Sequence, residues 1–179
     1  MKRLLVVIDY QNDFVDGILG FEAAQKLEKG IVEKVQEVLS DDGYVIFTKD
    51  THQKDYLQTR EGKFLPVAHC IAGTKGHSLF GELEKYETTA NTNVAIVEKE
   101  TFGSKNLPTY ILELIGSEPE CIEVCGVVTN ICVISNAIVL HTAFLNSEII
   151  IHGNLCAAVG EEHQKALDIM KGLGMNVIE

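Results

Sequence analysis

Three cysteines fall within the segment CIEVCGVVTNICVISNA (121–137), and one of them has the setting of a nucleophile. Cys121 and Cys125 belong to a predicted strand and point to the same face, which favours burial in a core. Cys132 follows that strand, in the first turn of a predicted helix whose N-cap would be Thr129. Free N–H groups and the helix dipole there favour a thiolate, so we expect a lowered pKa for Cys132. The alternative is a small apolar side chain packed under the sheet.

A cysteine nucleophile needs a base that takes its proton and later returns it to the leaving group. Asp9 closes the predicted strand RLLVVID (3–9) and can fill that role. Lys99 closes the predicted strand NVAIVEK (93–99) and could stabilise the ionised pair. Taken singly, Asp9 could be a turn-forming acid and Lys99 a surface lysine. The combination of these two residues with Cys132 favours an active site.

A second group of polar residues has ligand types that suit a metal ion. Asp50 and His52 are two positions apart, and His69 follows seventeen residues later. One carboxylate and two imidazoles suit Zn²⁺, Fe²⁺ or Mn²⁺ with open positions for water or substrate. Glu61 is a candidate fourth ligand. Because D-x-H is a frequent pattern, the alternative of two loop histidines bonded to backbone stays open.

The elements that must position these residues alternate between short apolar runs and amphipathic segments. Predicted strands cover 3–9, 44–50, 93–99, 121–126, 148–153 and 175–179. Predicted helices cover 23–40, 107–116, 129–145 and 160–173. This alternation predicts a single α/β domain over 1–179, with a six-stranded parallel sheet and helices on both faces. Ligands of such folds bind beyond the carboxyl ends of the strands, where Asp9, Asp50, Lys99 and Cys132 would meet.

Composition excludes several classes of partner. The 179 residues carry a formal net charge of −11, which argues against binding to nucleic acid or an anionic membrane. The longest apolar runs are too short to span a bilayer, and the first residues lack the features of a secretion signal. Five cysteines without such a signal predict free thiols and a cytoplasmic location. A non-catalytic nucleotide- or flavin-binding domain is less favoured, because DYQNDFVDG lacks the glycine spacing that pyrophosphate needs.

Four segments together resemble one known family. LLVVIDYQNDFVDG, DTH followed by LPVAHCIAGTKG, VEKETFGS and CGVVTNICVISNA are similar to the isochorismatase-like cysteine hydrolases, in the nicotinamidase-like branch. The resemblance covers nearly the whole chain in the family's order. It implies a six-stranded parallel sheet flanked by helices, and it implies that Asp9, Lys99 and Cys132 form a catalytic triad. It also implies a cis peptide between Val127 and Val128, with the N–H groups of Val128 and Cys132 forming the oxyanion hole.

The same resemblance implies a metal site and a substrate class. Asp50, His52 and His69 would hold one divalent ion, with zinc expected and iron or manganese as alternatives. In nicotinamidases this ion orients the pyridine ring of the substrate, and Phe14 would pack against that ring. The expected reaction is hydrolysis of a small carboxamide through a thioester, with nicotinamide going to nicotinate and ammonia as the best single guess. Another small amide or carbamoyl compound is the alternative, and a homodimer or homotetramer is expected.

Overall fold

The computed structural model describes residues 2–179, and six strands in this part of the chain form one parallel sheet. The strands are β1 (Arg3–Ile8), β2 (Tyr44–Asp50), β3 (Val94–Lys99), β4 (Cys121–Val127), β5 (Glu148–Ala157) and β6 (Asn176–Ile178). Their order is β3-β2-β1-β4-β5-β6, and every neighbouring pair is parallel. The predicted α/β fold is therefore confirmed. β5 runs four residues beyond its predicted end.

Seven α-helices in the described residues cover both faces of the sheet. They are α1 (Asn12–Val15), α2 (Glu22–Gln25), α3 (Glu28–Ser40), α4 (Arg60–Phe64), α5 (Leu107–Ile115), α6 (Ile134–Ala143) and α7 (Glu162–Gly172). The helix predicted over 23–40 is two helices, because the backbone tightens between them and the Leu27 amide bonds to the Ala24 carbonyl. None of the helices in residues 2–179 combines the length and apolar character that a membrane crossing requires.

The core lies on both sides of the central strand. Residues Leu4 to Ile8 of β1 are fully buried, as expected of a parallel strand covered by helices on each face. On α3, Ile31, Val35 and Val38 are fully buried at helical spacing, which explains how this segment packs on the sheet. The apolar runs of the sequence therefore became the interior strands and inner helix faces.

The chain reverses its direction of winding between β1 and β4, at the centre of the sheet. Carboxyl ends of adjacent strands separate at such a switch point and leave a crevice. Gly126 permits the close approach of β4 to β1 there, since its φ is 117° and a Cβ would lie 2.2 Å from the Ile8 carbonyl oxygen. The switch point therefore places the end of β1 beside the residues that follow β4.

The segment between β2 and β3 folds over the same edge of the sheet. It contains α4 and three 3₁₀ helices, Tyr56–Gln58, Lys75–His77 and Gly81–Glu87. A short parallel bridge between His52 and Ile71 closes the loop onto itself. This bridge returns the chain near 70 to the carboxyl end of β2, which is where the sequence pattern required His69 to be.

Candidate active site

Lys99 is the central contact of a buried cluster at the carboxyl edge of the sheet. Its Nζ lies 2.6 Å from Asp9 Oδ2, 3.3 Å from Asp50 Oδ1 and 3.9 Å from Cys132 Sγ. The four residues are at most 5% exposed. The structure thus brings together the four residues that the sequence placed at four different strand ends. It also unites the two groups that the sequence analysis treated separately.

Asp9 is held in a backbone conformation that few residues adopt. Its φ is 46°, in the left-handed region. Thr48 donates a 2.6 Å hydrogen bond from its hydroxyl to Asp9 Oδ1, and the Asp9 amide donates back to Thr48. The carboxylate is therefore oriented by Thr48 on one oxygen and by Lys99 on the other. Thr48 is a positioning contact that the sequence analysis missed.

The protonation state of Cys132 differs from the sequence expectation. Burial raises the pKa of the Cys132 thiol well above its ordinary value, and Lys99 only partly opposes this. The carboxylates of Asp9 and Asp50 and a hydrogen bond with Asp9 raise the pKa further. The expected lowering of the Cys132 pKa by a helix N-terminus is wrong, because desolvation of the sulfur outweighs it. The sulfur keeps its proton until a base removes it.

The local structure around Cys132 also differs from a simple capped helix. Residues Thr129–Val133 form one π-helical turn before α6 begins. Val128 takes the cap position, and the Thr129 hydroxyl instead contacts His163 Nδ1 at 2.8 Å. The predicted N-cap role of Thr129 is therefore wrong, because its side chain is drawn toward α7. The peptide between Val127 and Val128 is cis, as the resemblance implies.

The charged groups of the cluster shift one another's pKa values. Burial raises the pKa of Asp9, and the nearby Lys99 ammonium reduces but does not cancel this effect. Burial alone would lower the pKa of Lys99, but Asp9, Cys132 and Asp50 together raise it above the ordinary lysine value. Asp50 behaves oppositely to Asp9: despite its burial, Lys99 and the two imidazoles hold its pKa below the usual range. Lys99 thus remains charged throughout the neutral pH range.

Four potential metal ligands converge beside this cluster. The donor atoms of Asp50, His52, Glu61 and His69 all lie within 4.8 Å of one another. Asp50 Oδ2 is 2.9 Å from His52 Nε2 and 3.2 Å from His69 Nε2, and Glu61 Oε1 is 3.5 Å from His52 Nε2. The sequence predicted this set, including Glu61 as the fourth member. The structure places all four side chains around one point.

The hydrogen bonds of this group support a fit to a divalent cation. His69 Nδ1 donates to the Val67 carbonyl at 2.7 Å, which leaves Nε2 facing the other donors. Glu61 Oε1 is buried and has no hydrogen-bond partner among residues 2–179. Burial and the Asp50 carboxylate raise the pKa of Glu61, and the nearby His52, Lys99 and His69 only partly oppose this. Two imidazole nitrogens and two carboxylate oxygens match the ligands that Zn²⁺, Fe²⁺ and Mn²⁺ accept.

Two further polar residues, the buried Gln11 and the partly buried Asp13, hold the loop that carries these ligands, and the sequence analysis missed both. Gln11 donates from Nε2 to the carbonyls of Asp50 and His77, and its Oε1 accepts from the Asp50 amide. Asp13 accepts a 2.7 Å hydrogen bond from the Cys70 amide, directly after His69. The only signal for them was their place in DYQNDF, directly after β1.

A small cavity of about 160 Å³ opens onto Cys132. Its polar lining comes from Asp50, His69 and Cys132, and no lysine or arginine lines it among the described residues. Phe14, the predicted contact of the substrate ring, lies in the cavity wall, with its ring centroid 5.2 Å from that of His69. Apolar walls that the sequence analysis did not identify are Leu19, Phe21, Leu65, Phe102, Ile131 and Val159. These residues come from five separate segments, so their spacing along the chain shows no pattern.

Comparisons with known proteins agree with this geometry. The isochorismatase domain model matches residues 3–179. A protein of Bacillus subtilis (strain 168), described as an uncharacterized isochorismatase family protein PncA, is 30% identical over 188 residues, with all of both chains covered. Similarity to this family therefore extends over nearly the entire chain.

Solved structures show the same relationship. The crystal structure of the nicotinamidase PncA from Bacillus subtilis is 31% identical, with a TM-score of 0.87 and complete coverage of both chains. The pyrazinamidase/nicotinamidase from Streptococcus mutans UA159 is 29% identical, with a TM-score of 0.86, and the match covers 99% of this chain and 100% of that one. The fold described above is thus shared with proteins described as nicotinamidase and pyrazinamidase/nicotinamidase.

Proposed function

Because this chain belongs to the isochorismatase family and is an amidohydrolase of C–N bonds, we propose that it hydrolyses a small uncharged carboxamide, with nicotinamide as the best candidate. One observation carries the proposal. The Cys132 thiol, its neighbour Asp9 and the Lys99 ammonium meet at the end of a cavity of about 160 Å³ with mainly apolar walls. Such a cavity suits a flat monocyclic amide and is too small for a nucleotide.

Formation of the acyl-enzyme follows from the positions of Asp9 and Cys132. Asp9 accepts the proton of the Cys132 thiol, and the sulfur attacks the carboxamide carbon. Backbone N–H groups of Val128 and Cys132 stabilise the negative charge on the substrate oxygen. The C–N bond then breaks as Asp9 returns its proton to the nitrogen, which leaves as ammonia. The product of this half-reaction is a thioester on Cys132.

Hydrolysis of the thioester reverses the proton movements. Asp9 takes a proton from a water molecule, and the resulting hydroxide attacks the thioester carbon. The C–S bond breaks, the carboxylic acid leaves and the proton returns from Asp9 to the sulfur. Lys99 keeps its charge in both half-reactions, so it stabilises the ionised form of Asp9 at 2.6 Å. The raised pKa of Asp9 brings its proton affinity closer to that of its partners.

Asp50, His52, Glu61 and His69 would hold one divalent cation, for which zinc best suits the two imidazoles and two carboxylates. When bound, the ion supplies a Lewis-acidic position at the cavity wall where a ring nitrogen of the substrate can be oriented. Asp50 and His69 line the cavity, so this position faces the substrate. His69 also packs against Phe14, which orders the wall on which a ring would lie.

Two features bear on the remaining predictions. The absence of lysine and arginine from the lining formed by the described residues disfavours a carbamoyl substrate that carries a carboxylate. The predicted homodimer or homotetramer rests on the family resemblance and on exposed apolar side chains such as Ile138 on α6 and Ile169 on α7. Both inferences stay proposals.

The decisive experiment measures ammonia release from nicotinamide by the zinc-loaded protein and by Cys132→Ala. We expect release by the parent and a loss of at least about 10³-fold in the variant, because a nucleophile cannot be replaced by its neighbours. Cys121→Ala is the matched control, since Cys121 starts β4 at the opposite end from the site. Turnover by Cys132→Ala equal to the parent would overturn the mechanism. A parent that binds zinc but releases no ammonia would exclude nicotinamide as substrate.

A further inference from the structure

Asn136 on α6 joins two parts of the candidate site through a fully buried amide. Its Nδ2 donates to the Cys132 carbonyl at 2.8 Å and to the Phe102 carbonyl at 2.9 Å. Its Oδ1 accepts a 2.9 Å hydrogen bond from the Ser104 amide. Both N–H groups of the side chain are therefore engaged. One amide connects the backbone of the nucleophile to the turn after β3.

That turn carries a wall of the cavity and packs tightly against α6. Phe102 lines the cavity, and the Thr101 hydroxyl donates a 2.8 Å hydrogen bond to the Gly103 carbonyl. A Cβ on Gly103 would lie 3.2 Å from both the Cβ and the carbonyl oxygen of Ser135. A larger residue at position 103 would therefore require the turn or α6 to shift by a few tenths of an ångström. Phe102 precedes Gly103 directly, so a shift of the turn would also change the position of Phe102.

We propose that Asn136 is a specificity-determining positioning residue that sets the distance between the Phe102 wall and Cys132. The proposal rests on the proposed function for its substrate, an aromatic carboxamide whose ring lies against Phe102. Asn136 does not touch the cavity itself and acts through the two backbone segments that it joins. Loss of its three hydrogen bonds would let the turn that carries Phe102 move away from Cys132. The part of the cavity that holds the substrate ring would then widen, and the substrate would bind more weakly although every reacting group is still present.

A purely stabilising role for Asn136 makes a different prediction. Buried backbone groups need hydrogen-bond partners, and their loss lowers stability whatever their location. Under conditions where the variant is folded, lower stability alone leaves the relative rates of different reactants at Cys132 unchanged. A positioning role instead changes the relative rates of aromatic and small reactants at the same sulfur. The ratio of two rates therefore separates the two roles.

The first measurement compares alkylation of Cys132 by iodoacetamide and by its ring-bearing analogue N-phenyl iodoacetamide, read at the Cys132 peptide by mass spectrometry. We expect Asn136→Leu to change the ratio of the two rates at least about threefold relative to the parent. With nicotinamide as substrate, we expect its KM to rise about tenfold while kcat changes less than about threefold. The matched control is Asn93→Leu, because Asn93 bonds to the Gly43 carbonyl far from the site. Its alkylation ratio and KM should equal those of the parent.

Two further variants keep the test decisive if Asn136→Leu does not fold. Gly103→Ala adds a methyl group at the contact between the turn and Ser135 of α6, and it keeps the Asn136 side chain. This variant should change the alkylation ratio and raise KM. Phe102→Ala should raise KM as well, and its combination with Gly103→Ala should add little, because both act on one wall. Unchanged ratios in Asn136→Leu or Gly103→Ala, or fully additive effects in the double variant, would overturn the proposal.

Ammonia release tests the proposed function, and the alkylation ratio tests the role of Asn136, so the two can fail separately. A parent that releases no ammonia from nicotinamide refutes the nicotinamide assignment, while the alkylation ratio still decides the role of Asn136. A parent that hydrolyses nicotinamide with unchanged ratios in the variants supports the function and refutes the positioning role.

Discussion

Lys99 Nζ lies 3.3 Å from Asp50 Oδ1, and this contact joins the candidate catalytic group to the candidate metal group. The same ammonium is 2.6 Å from Asp9, so one buried cation serves two carboxylates. Burial raises the pKa of Asp9, whereas the pKa of Asp50 is held down by Lys99 and two imidazoles. The two carboxylates therefore suit different tasks: Asp9 can exchange a proton, and Asp50 stays ionised, as the proposed role of metal ligand requires.

Replacing Lys99 should damage both groups at once. In Lys99→Met the carboxylates of Asp9 and Asp50 lose their shared buried cation, and we expect a loss of about 3–5 kcal/mol in the free energy of unfolding. Ammonia release should fall by at least about a hundredfold under conditions where the variant is folded. Urea unfolding and steady-state kinetics measure the two effects.

The control for that variant is Lys49→Met. Lys49 is also buried. Its Nζ lies 2.8 Å from Glu87 Oε1, and this ion pair is not part of the cluster around Cys132. The Lys49→Met variant should have a lower free energy of unfolding but the same kcat per folded molecule as the parent. Equal kinetic losses in the two lysine variants would show that Lys99 acts only through folding.

Removing metal ligands should weaken metal binding more than folding. His52→Ala loses an imidazole that faces Asp50 and Glu61, and Glu61→Gln loses the carboxylate oxygen that has no hydrogen-bond partner in residues 2–179. We expect zinc affinity to fall about tenfold or more in each variant, with the larger loss for His52→Ala. Competition with a chromophoric chelator gives the affinities, and thermal unfolding of the metal-free proteins gives the stabilities.

His77→Ala is the matched control for the metal ligands. His77 is buried on the same loop, but its Nε2 lies 2.8 Å from the Thr51 hydroxyl and outside the four-residue group. The zinc affinity of the His77→Ala variant should match that of the parent. A Glu61→Gln variant with unchanged affinity would remove Glu61 from the ligand set and leave the other three.

The pH dependence of kcat/KM should reflect the raised pKa of Asp9. Asp9 accepts a proton only when ionised, so activity falls as the pH drops through its pKa. Because burial raises that pKa, the acidic limb should be centred above about 3.9, the ordinary aspartate value. Return of full activity at pH 7 after each incubation would exclude denaturation. A limb centred at or below that value would contradict the role of Asp9.

A second buried ionic group should govern stability in acid. Glu123 on β4 accepts from His152 at 2.5 Å and Lys34 at 2.9 Å, and it also pairs with Arg3. Burial opposes ionisation, but these three partners hold the pKa of Glu123 below its usual range. The unfolded chain therefore binds the proton first, so the stabilisation is present above about pH 4.3 and is lost as the pH falls toward the folded-state pKa.

Glu123→Gln tests this dependence. It should lower the free energy of unfolding by about 3 kcal/mol at pH 7, because the partly buried Arg3 and Lys34 lose the counter-charge of a buried carboxylate. The difference from the parent should shrink below about pH 4.3. Urea unfolding at several pH values measures it, and a difference that is constant with pH would contradict the assigned charge state.

Local patterns in the sequence were sufficient for the sheet and for most of the candidate site. Short segments of five to seven residues, rich in apolar side chains, predicted all six strands, because a parallel strand buried on both faces must be largely apolar. Polar residues at the ends of those runs then identified Asp9, Asp50 and Lys99, since strand ends share one edge of the sheet. The loop histidines and Glu61 were found from ligand chemistry at short spacing and from the family resemblance.

The properties that the sequence could not supply all depend on distance between segments. The pKa of Cys132 was predicted with the wrong sign, because its helix position is local whereas its burial depends on the whole fold. Thr48, Gln11 and Asn136 were not identified, since each acts by a hydrogen bond across the fold to a partner distant in the chain.

Sequence alone thus determined which residues could do chemistry and which strands would carry them, because side-chain type and periodicity are properties of neighbouring residues. Only the tertiary structure decided that Lys99 serves both carboxylates, that Cys132 rests as a thiol and that Asn136 joins the nucleophile to a cavity wall. Charge interactions, desolvation and hydrogen bonds vary with separation in space, and that separation exists only once the chain has folded.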